Sequence, residues 1–175
     1  MYYLTCIPLE DAILGCIQIQ QLMNKLITTI YYIIGHSTEL KNTFTNASTA
    51  VVEFACIFCH NEEEYQTFTG IIQTLGKIVE RTTSGYTYLL DEPIITAAGS
   101  LRLVKIRKPD PQIVTRGDAD FNTNYESFKK RYGGNPRFEL VKRPTFEMLR
   151  LSDPQFDVMA CFSSIPKSKA LGINY

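Results

Sequence analysis

Val51-Val52-Glu53-Phe54-Ala55-Cys56-Ile57-Phe58-Cys59 is the stretch whose reading decides the fold. Nine residues, mostly apolar, β-branched or aromatic and interrupted by one carboxylate, predict a strand buried on both faces, since a strand wetted on one face alternates. Directly after it, Asn61 can cap a helix whose first turn holds Glu62, Glu63 and Glu64, where carboxylates complement the helix dipole. Tyr65, Phe68, Ile71, Ile72, Leu75, Ile78 and Val79 continue one helical face to about Glu80. Strands are then expected near Tyr86–Leu90 and Leu101–Arg107, with Lys108-Pro109-Asp110-Pro111 as a connector.

Further along, a shorter cycle follows. Asp118–Asn122 reads as a strand, Asn124–Tyr132 as a helix with Tyr125 and Phe128 inward, and Gly133-Gly134 as its stop. Strands are expected at Arg137–Lys142 with Phe138 and Leu140 inward, at Phe146–Leu151, and at Phe156–Phe162 after the turn Asp153-Pro154. Upstream, the spacing of Ile13, Cys16, Ile17, Met23, Leu26, Ile27, Ile30, Ile33 and Ile34 predicts a helix over 9–34 that starts after Pro8 and ends at Gly35. His36 would cap its end, Ser37 would start a short turn at 38–44, and 42–50 reads as a linker. The expected class is α+β: a helical arm (1–48), then one domain (49–175) of two modules, about 51–107 and 118–163, forming a mixed sheet. The apolar stripe of the arm must be covered, either by the chain's own sheet or by a second copy in a homodimer.

Eighteen basic and eighteen acidic side chains cancel overall but are unevenly placed. Residues 51–100 carry two basic and seven acidic groups, and residues 101–143 carry eleven basic and five acidic. Such halves can neutralise each other across a fold or a dimer contact. Five cysteines, Cys6, Cys16, Cys56, Cys59 and Cys161, mostly lie in apolar runs, which fits free thiols in a reducing, cytoplasmic setting. The start lacks a basic region before an apolar stretch, so neither a leader nor a membrane span is expected.

Cys56-Ile57-Phe58-Cys59-His60 satisfies the haem-attachment pattern C-x-x-C-H, but haem needs an exported setting and a second axial ligand. The alternative chemistry is a redox dithiol of Cys56 and Cys59 at a strand-to-helix junction. On a strand, however, a spacing of three points the two thiols to opposite faces. With only His36 and His60 in the chain, a three-His metal site is excluded. In Arg116-Gly117-Asp118-Ala119-Asp120-Phe121, Asp118 and Asp120 share one strand face, an arrangement suited to a hard cation or a general base, unless Arg116, Lys129 and Arg131 neutralise them. The run Lys129-Lys130-Arg131-Tyr132 has no stacking platform or recognition-helix pattern beside it, so it reads as a solvated face and nucleic acid is not an expected partner.

The two strand-helix-strand cycles, with the turn Asp153-Pro154-Gln155-Phe156-Asp157 before the closing strand, resemble the paired modules of the vicinal oxygen chelate superfamily, the glyoxalase and bleomycin-resistance type. That resemblance implies a cleft between modules and, in the family's enzymes, a metal held by His and Glu/Gln on the first and last strands. Here those strands offer Glu53 and little else, with Leu103, Val104, Met159 and Ala160 where carboxylates would be needed. The expectation is a non-catalytic, cofactor-free domain that binds a small ligand or a partner and forms a homodimer. Glu53, Arg116, Asp118 and Asp120 are its candidate ligand contacts. The thiol redox protein and a divergent metal-dependent lyase or dioxygenase are the alternatives.

Overall fold

The computed structural model describes the backbone of residues 9–174 and the side chains of residues 15–174. Cys6, Pro8 and the side chain of Ile13 lie outside the described residues. The chain runs α1 (Leu9–Phe44), β1 (Val52–Phe58), α2 (Glu62–Ile72), β2 (Gly76–Thr82), β3 (Gly85–Thr96), β4 (Gly99–Arg107), β5 (Gly117–Phe121), α3 (Tyr125–Tyr132), β6 (Phe138–Lys142), β7 (Glu147–Leu151), β8 (Val158–Ser163) and α4 (Lys167–Ala170). All eight strands form one mixed sheet in the order β2-β3-β4-β1-β5-β8-β7-β6, an α+β fold.

This order contains the same unit twice. Outward from the middle, β1-β4-β3-β2 on one side repeats as β5-β8-β7-β6 on the other, with a helix after each first strand. In both units the first strand lies parallel to the last, and the units join through β1 and β5, antiparallel. Asn61 caps α2 by accepting from the amide of Glu64 at 2.9 Å, and Asn124 caps α3 by accepting from Ser127 at 3.2 Å.

The expected first cycle was one strand short. Ile78 and Val79 keep the helical phase of Ile71, Ile72 and Leu75, yet α2 stops at Ile72 and residues from Gly76 form β2 against β3. Periodicity cannot separate a short apolar strand from a helical continuation, and pairing with β3 decides it. The expected break in α1 is also absent. Gly35 sits on the wetted side, whereas Leu26, Ile30, Ile33, Ile34, Ser37, Leu40 and Lys41 are all buried along the other. Burial of that stripe outweighs the roughly 1 kcal/mol cost of one glycine inside a helix. Ser37 is therefore no cap: its hydroxyl donates to the carbonyl of Met159 at 2.9 Å. His36 sits inside the helix, its ring 4.3 Å from that of Tyr32. Leu140, expected inward, is exposed on β6.

The stripe of α1 packs on its own sheet. Ala55, Ala119 and Ala160 are register neighbours across β1, β5 and β8, and all three are fully buried in the core that also holds α1, α2 and α3. Small side chains there let the helix lie close over the joint. At Gly117 an added Cβ would stand 2.2 Å from the Cys56 carbonyl oxygen and 2.7 Å from Cδ1 of Ile33. Among the described residues no helix is long and apolar enough to cross a membrane.

The close approach at Gly117 is testable. Gly117→Ala is expected to cost about 3 kcal/mol by overpacking, read from the denaturant midpoint, while Gly134→Ala, which meets nothing within 4 Å, should leave the midpoint in place. Equal, small effects of the two would remove the tight α1–β1–β5 contact from the account.

Candidate functional site

One face of the sheet is covered by α1, α2 and α3; the other presents the alternate side chains of the same strands. From β1 these are Phe54, Cys56 and Phe58, and from β5 Asp118 and Asp120. Register puts Cys56 beside Lys105 of β4 on one side and Asp118 on the other, and puts Asp120 beside Cys161 of β8, itself beside Arg150 of β7. The sheet is curved enough that Glu80 of β2 and Arg150 of β7, far apart in strand order, line one cavity of about 430 Å³. The segment from Ile165 to Leu171, with α4, walls one side. A larger, shallower groove beside α3 has Arg131 as its one charged lining residue and lacks this convergence.

The floor carries two unlike carboxyls. Asp120 accepts from the backbone N–H of Ser163 at 3.2 Å and from its hydroxyl, yet burial still pushes its acid up to about 6. Asp118 has no hydrogen-bond partner among the described residues. Burial first, and the charge of Asp120 next, raise it to about 7, against the downward pull of Arg150, Arg107 and Lys105. Burial likewise pushes the thiols of Cys56 and Cys161 well above their ordinary range.

Cations ring these acids. Burial lowers Lys105, whose ammonium donates to the Thr82 hydroxyl at 2.9 Å. Arg107 lies with its guanidinium 5.0 Å from the centre of the Phe58 ring. Lys167 donates to Glu80 at 2.7 Å; burial pushes Glu80 up, but this bond and one from Thr87 outweigh it and hold Glu80 low. Arg150 donates from Nη1 to Glu139 at 3.0 Å, while its Nε is buried with no hydrogen-bond partner among the described residues.

The residues singled out from the sequence divide. Asp118 and Asp120 stand together in the cavity. Glu53 is buried near the start of the central strand β1, its two oxygens accepting from Asn122 Nδ2 at 3.0 Å and the Ser168 N–H at 2.8 Å, so it ties down the C-terminal segment. Arg116 lies on the helix side, where it forks onto Glu64 at 2.7 and 3.0 Å and donates to the Phe58 carbonyl at 3.0 Å. Neither Arg116 nor Lys129, which pairs with Glu147, serves the aspartates, so the neutralisation read from sequence proximity does not occur. Of the acidic-to-basic contacts expected between residues 51–100 and 101–143, Arg116–Glu64 is present, whereas Lys167–Glu80 joins the first module to the C-terminal segment. Cys56 faces the cavity and Cys59 the helix-side core, with burial pushing Cys59 up to about 12. Among the described residues no three His, Cys, Asp or Glu side chains gather to hold a metal. Sequence reasoning missed Lys105, Arg107, Arg150 and Cys161. The alternation Leu101-Arg102-Leu103-Val104-Lys105-Ile106-Arg107 was the one available signal, with Lys105 and Arg107 two apart on one face.

No protein-family model and no curated protein matches this chain. Among solved structures it is similar to a structural-genomics protein named EC4020, with a TM-score of 0.67 over 85% of this chain and 91% of that one at 12% identity. That likeness shows the fold alone.

Two predictions follow from these placements. The Arg116–Glu64 pair, with side chains only 14% and 11% exposed, is a clamp between the modules. Arg116→Met is expected to cost about 3 kcal/mol by stranding a buried carboxylate, and the double change with Glu64→Gln less than the sum of the singles; strict additivity in urea unfolding would refute the coupling. Asp118 titrates near 7 in the fold against an ordinary 3.8. Its stabilising protonation is thus complete at low pH and lost as pH rises through about 7. Asp118→Asn should be more stable than the parent at about pH 8, by at most about 4 kcal/mol, and converge on it below about pH 4. A gap independent of pH would overturn this.

Proposed function

We propose that this is a metal-independent binding protein rather than an enzyme, holding a small molecule in the cavity between its two modules, on the plan of the sequestering members of the vicinal oxygen chelate superfamily. The observation that carries the reading is the pair of polar groups left unmatched inside an otherwise assembled cavity. Arg150 Nε is a buried donor without an acceptor among the described residues, and Asp118 is a half-buried carboxyl with no hydrogen-bond partner among them. Buried polar atoms are normally satisfied, and a bound molecule is the ready source of what these lack. Support also comes from the topology, two strand-helix-three-strand units joined through their first strands. The cavity volume suits a small organic molecule, and Phe54, Phe58, Phe146 and Met148 give it an apolar lining. The redox alternative finds no support in thiols that face opposite sides of the sheet and resist ionisation.

The test uses a neutral fluorescent aromatic, phenylnaphthylamine, as probe. The expected result is saturable one-to-one binding, weakened about tenfold or more by Cys161→Phe, a substitution that fills the cavity from β8 at the cost of at least about 1.4 kcal/mol of binding. Circular dichroism keeps misfolding apart from blocking. Binding that never saturates, or that a folded Cys161→Phe protein retains unchanged, would defeat the proposal.

A further inference from the structure

The cavity lining carries more basic than acidic side chains. Resting on the reading of this cavity as a ligand site, we propose that its ligand is an oxyanion on an apolar body, a carboxylate, sulfonate or phosphate, seated between Arg150 and Lys105 and hydrogen-bonded by the acid form of Asp118, so that binding takes up a proton wherever Asp118 was ionised beforehand.

The geometry points this way from three sides. First, donors dominate. Lys105 and Arg107 of β4, Arg150 of β7, Arg143 of the β6–β7 turn and Lys167 of α4 line the cavity, against Glu80, Asp118 and Asp120. Glu80 is occupied by Lys167 and Thr87, and Asp120 accepts from Ser163 on both oxygens. What remains open is mostly donor capacity, above all Arg150 Nε, and a buried guanidinium N–H is best met by a charged oxygen. Secondly, the floor between the cations is partly apolar: Phe54 and Phe58 of β1 lie beside the carboxyls, with the Arg107 guanidinium 5.0 Å from the Phe58 ring centre. An anion whose body is apolar satisfies both.

Thirdly, Asp118 stands on that floor and must be reconciled with an anion. It faces Cys56 of β1, Lys105 and Arg107 of β4, Asp120 on its own strand, Arg150 of β7 and Cys161 of β8. Burial keeps the two thiols from ionising, and the negative neighbour is Asp120, whose own acid burial raises to about 6. An ionised Asp118 would repel an oxyanion, whereas its acid form donates an O–H to it. Near neutrality the empty site divides between the two forms, and an incoming anion draws it to the acid form by linkage. No bond to carbon is made or broken.

The experiment compares anilinonaphthalene sulfonate with phenylnaphthylamine, which share a ring system and differ in the anionic group, on the full chain between about pH 6 and pH 8.5. The sulfonate itself does not titrate in that range. Expected is sulfonate binding about tenfold or more tighter than that of the neutral probe, falling toward tenfold per pH unit above about pH 7, with neutral-probe binding flat. Asp118→Asn, which keeps a donor without a titration, should retain sulfonate binding at high pH and flatten the profile. Arg150→Met should weaken sulfonate binding about tenfold and narrow or abolish its advantage over the neutral probe. Saturable neutral-probe binding with no sulfonate preference, or sulfonate binding that strengthens as pH rises, overturns the inference while leaving the cavity a ligand site. Failure of both probes to saturate defeats the ligand-site reading, and the inference with it.

Discussion

The joint of β1 with β5 under α1 is the contact on which the rest of the molecule depends. Ala55 and Ala119 are each other's register partners, so they lie on the approximate two-fold axis that relates the modules. Their methyl groups, with Ala160 alongside, leave the space that α1 fills with Ile30, Ile33 and Ile34. A larger side chain at any of these positions would lift the helix from the sheet, and Gly117 shows how little room is left. Each half alone would be a four-stranded sheet with an unpaired edge at its first strand, a template for mispairing. Joining edge to edge removes both edges, and the helix seals the seam on one face. The cavity on the other face exists because the seam holds the two curved halves together.

The approximate symmetry also explains how a repeated frame carries a polar site. Register equates Cys56 with Asp120, Phe54 with Asp118, Lys105 with Cys161 and Arg107 with Ser163. One module thus supplies an apolar first strand and a basic last strand; the other supplies an acidic first strand and a nearly neutral last one. Two identical modules would place like charges across the seam, which burial makes costly. The observed division sets carboxyls on β5 between the cations of β4 and β7, so that each desolvated charge has opposite charge within reach. Even so, that field leaves Asp118 short of full ionisation near neutrality, because burial and Asp120 oppose it.

Local signals in the chain were legible where structure is local. Asn61 and Asn124 cap the helices that follow the two first strands, the continuous apolar run at β1 is buried apart from Val51 and Phe54, and the strands from β4 to β8 fall close to their expected places, while β3 runs past its expected end at Leu90 to Thr96. What failed was whatever tertiary contact decides. Gly35 and Ser37 look like a helix end until the buried stripe on both sides of them is seen against the sheet. Ile78 and Val79 look helical until β3 is available as a partner. The same limit governs the site. Asp118 and Asp120 were visible as a pair because they are two residues apart, but Arg150 reaches them through β8 and Lys105 through β1, and no spacing along the chain encodes that register.

Arg116 shows how proximity in sequence misleads and what the residue does instead. It lies two residues from Asp118, a spacing that strand alternation would put on one face, but it precedes β5, outside the strand, and its side chain turns to the helix side. There it meets Glu64, whose carboxylate burial would raise but which the His60 N–H and the Arg116 guanidinium together hold below its ordinary range. The same guanidinium donates to the last carbonyl of β1, so one side chain closes the end of β1, the start of β5 and the first turn of α2. The most basic-looking residue of the candidate cluster therefore fixes the angle at which the two first strands leave the seam. By joining the end of β1 to the start of β5 it helps set where Asp118 stands relative to Lys105 and Arg150.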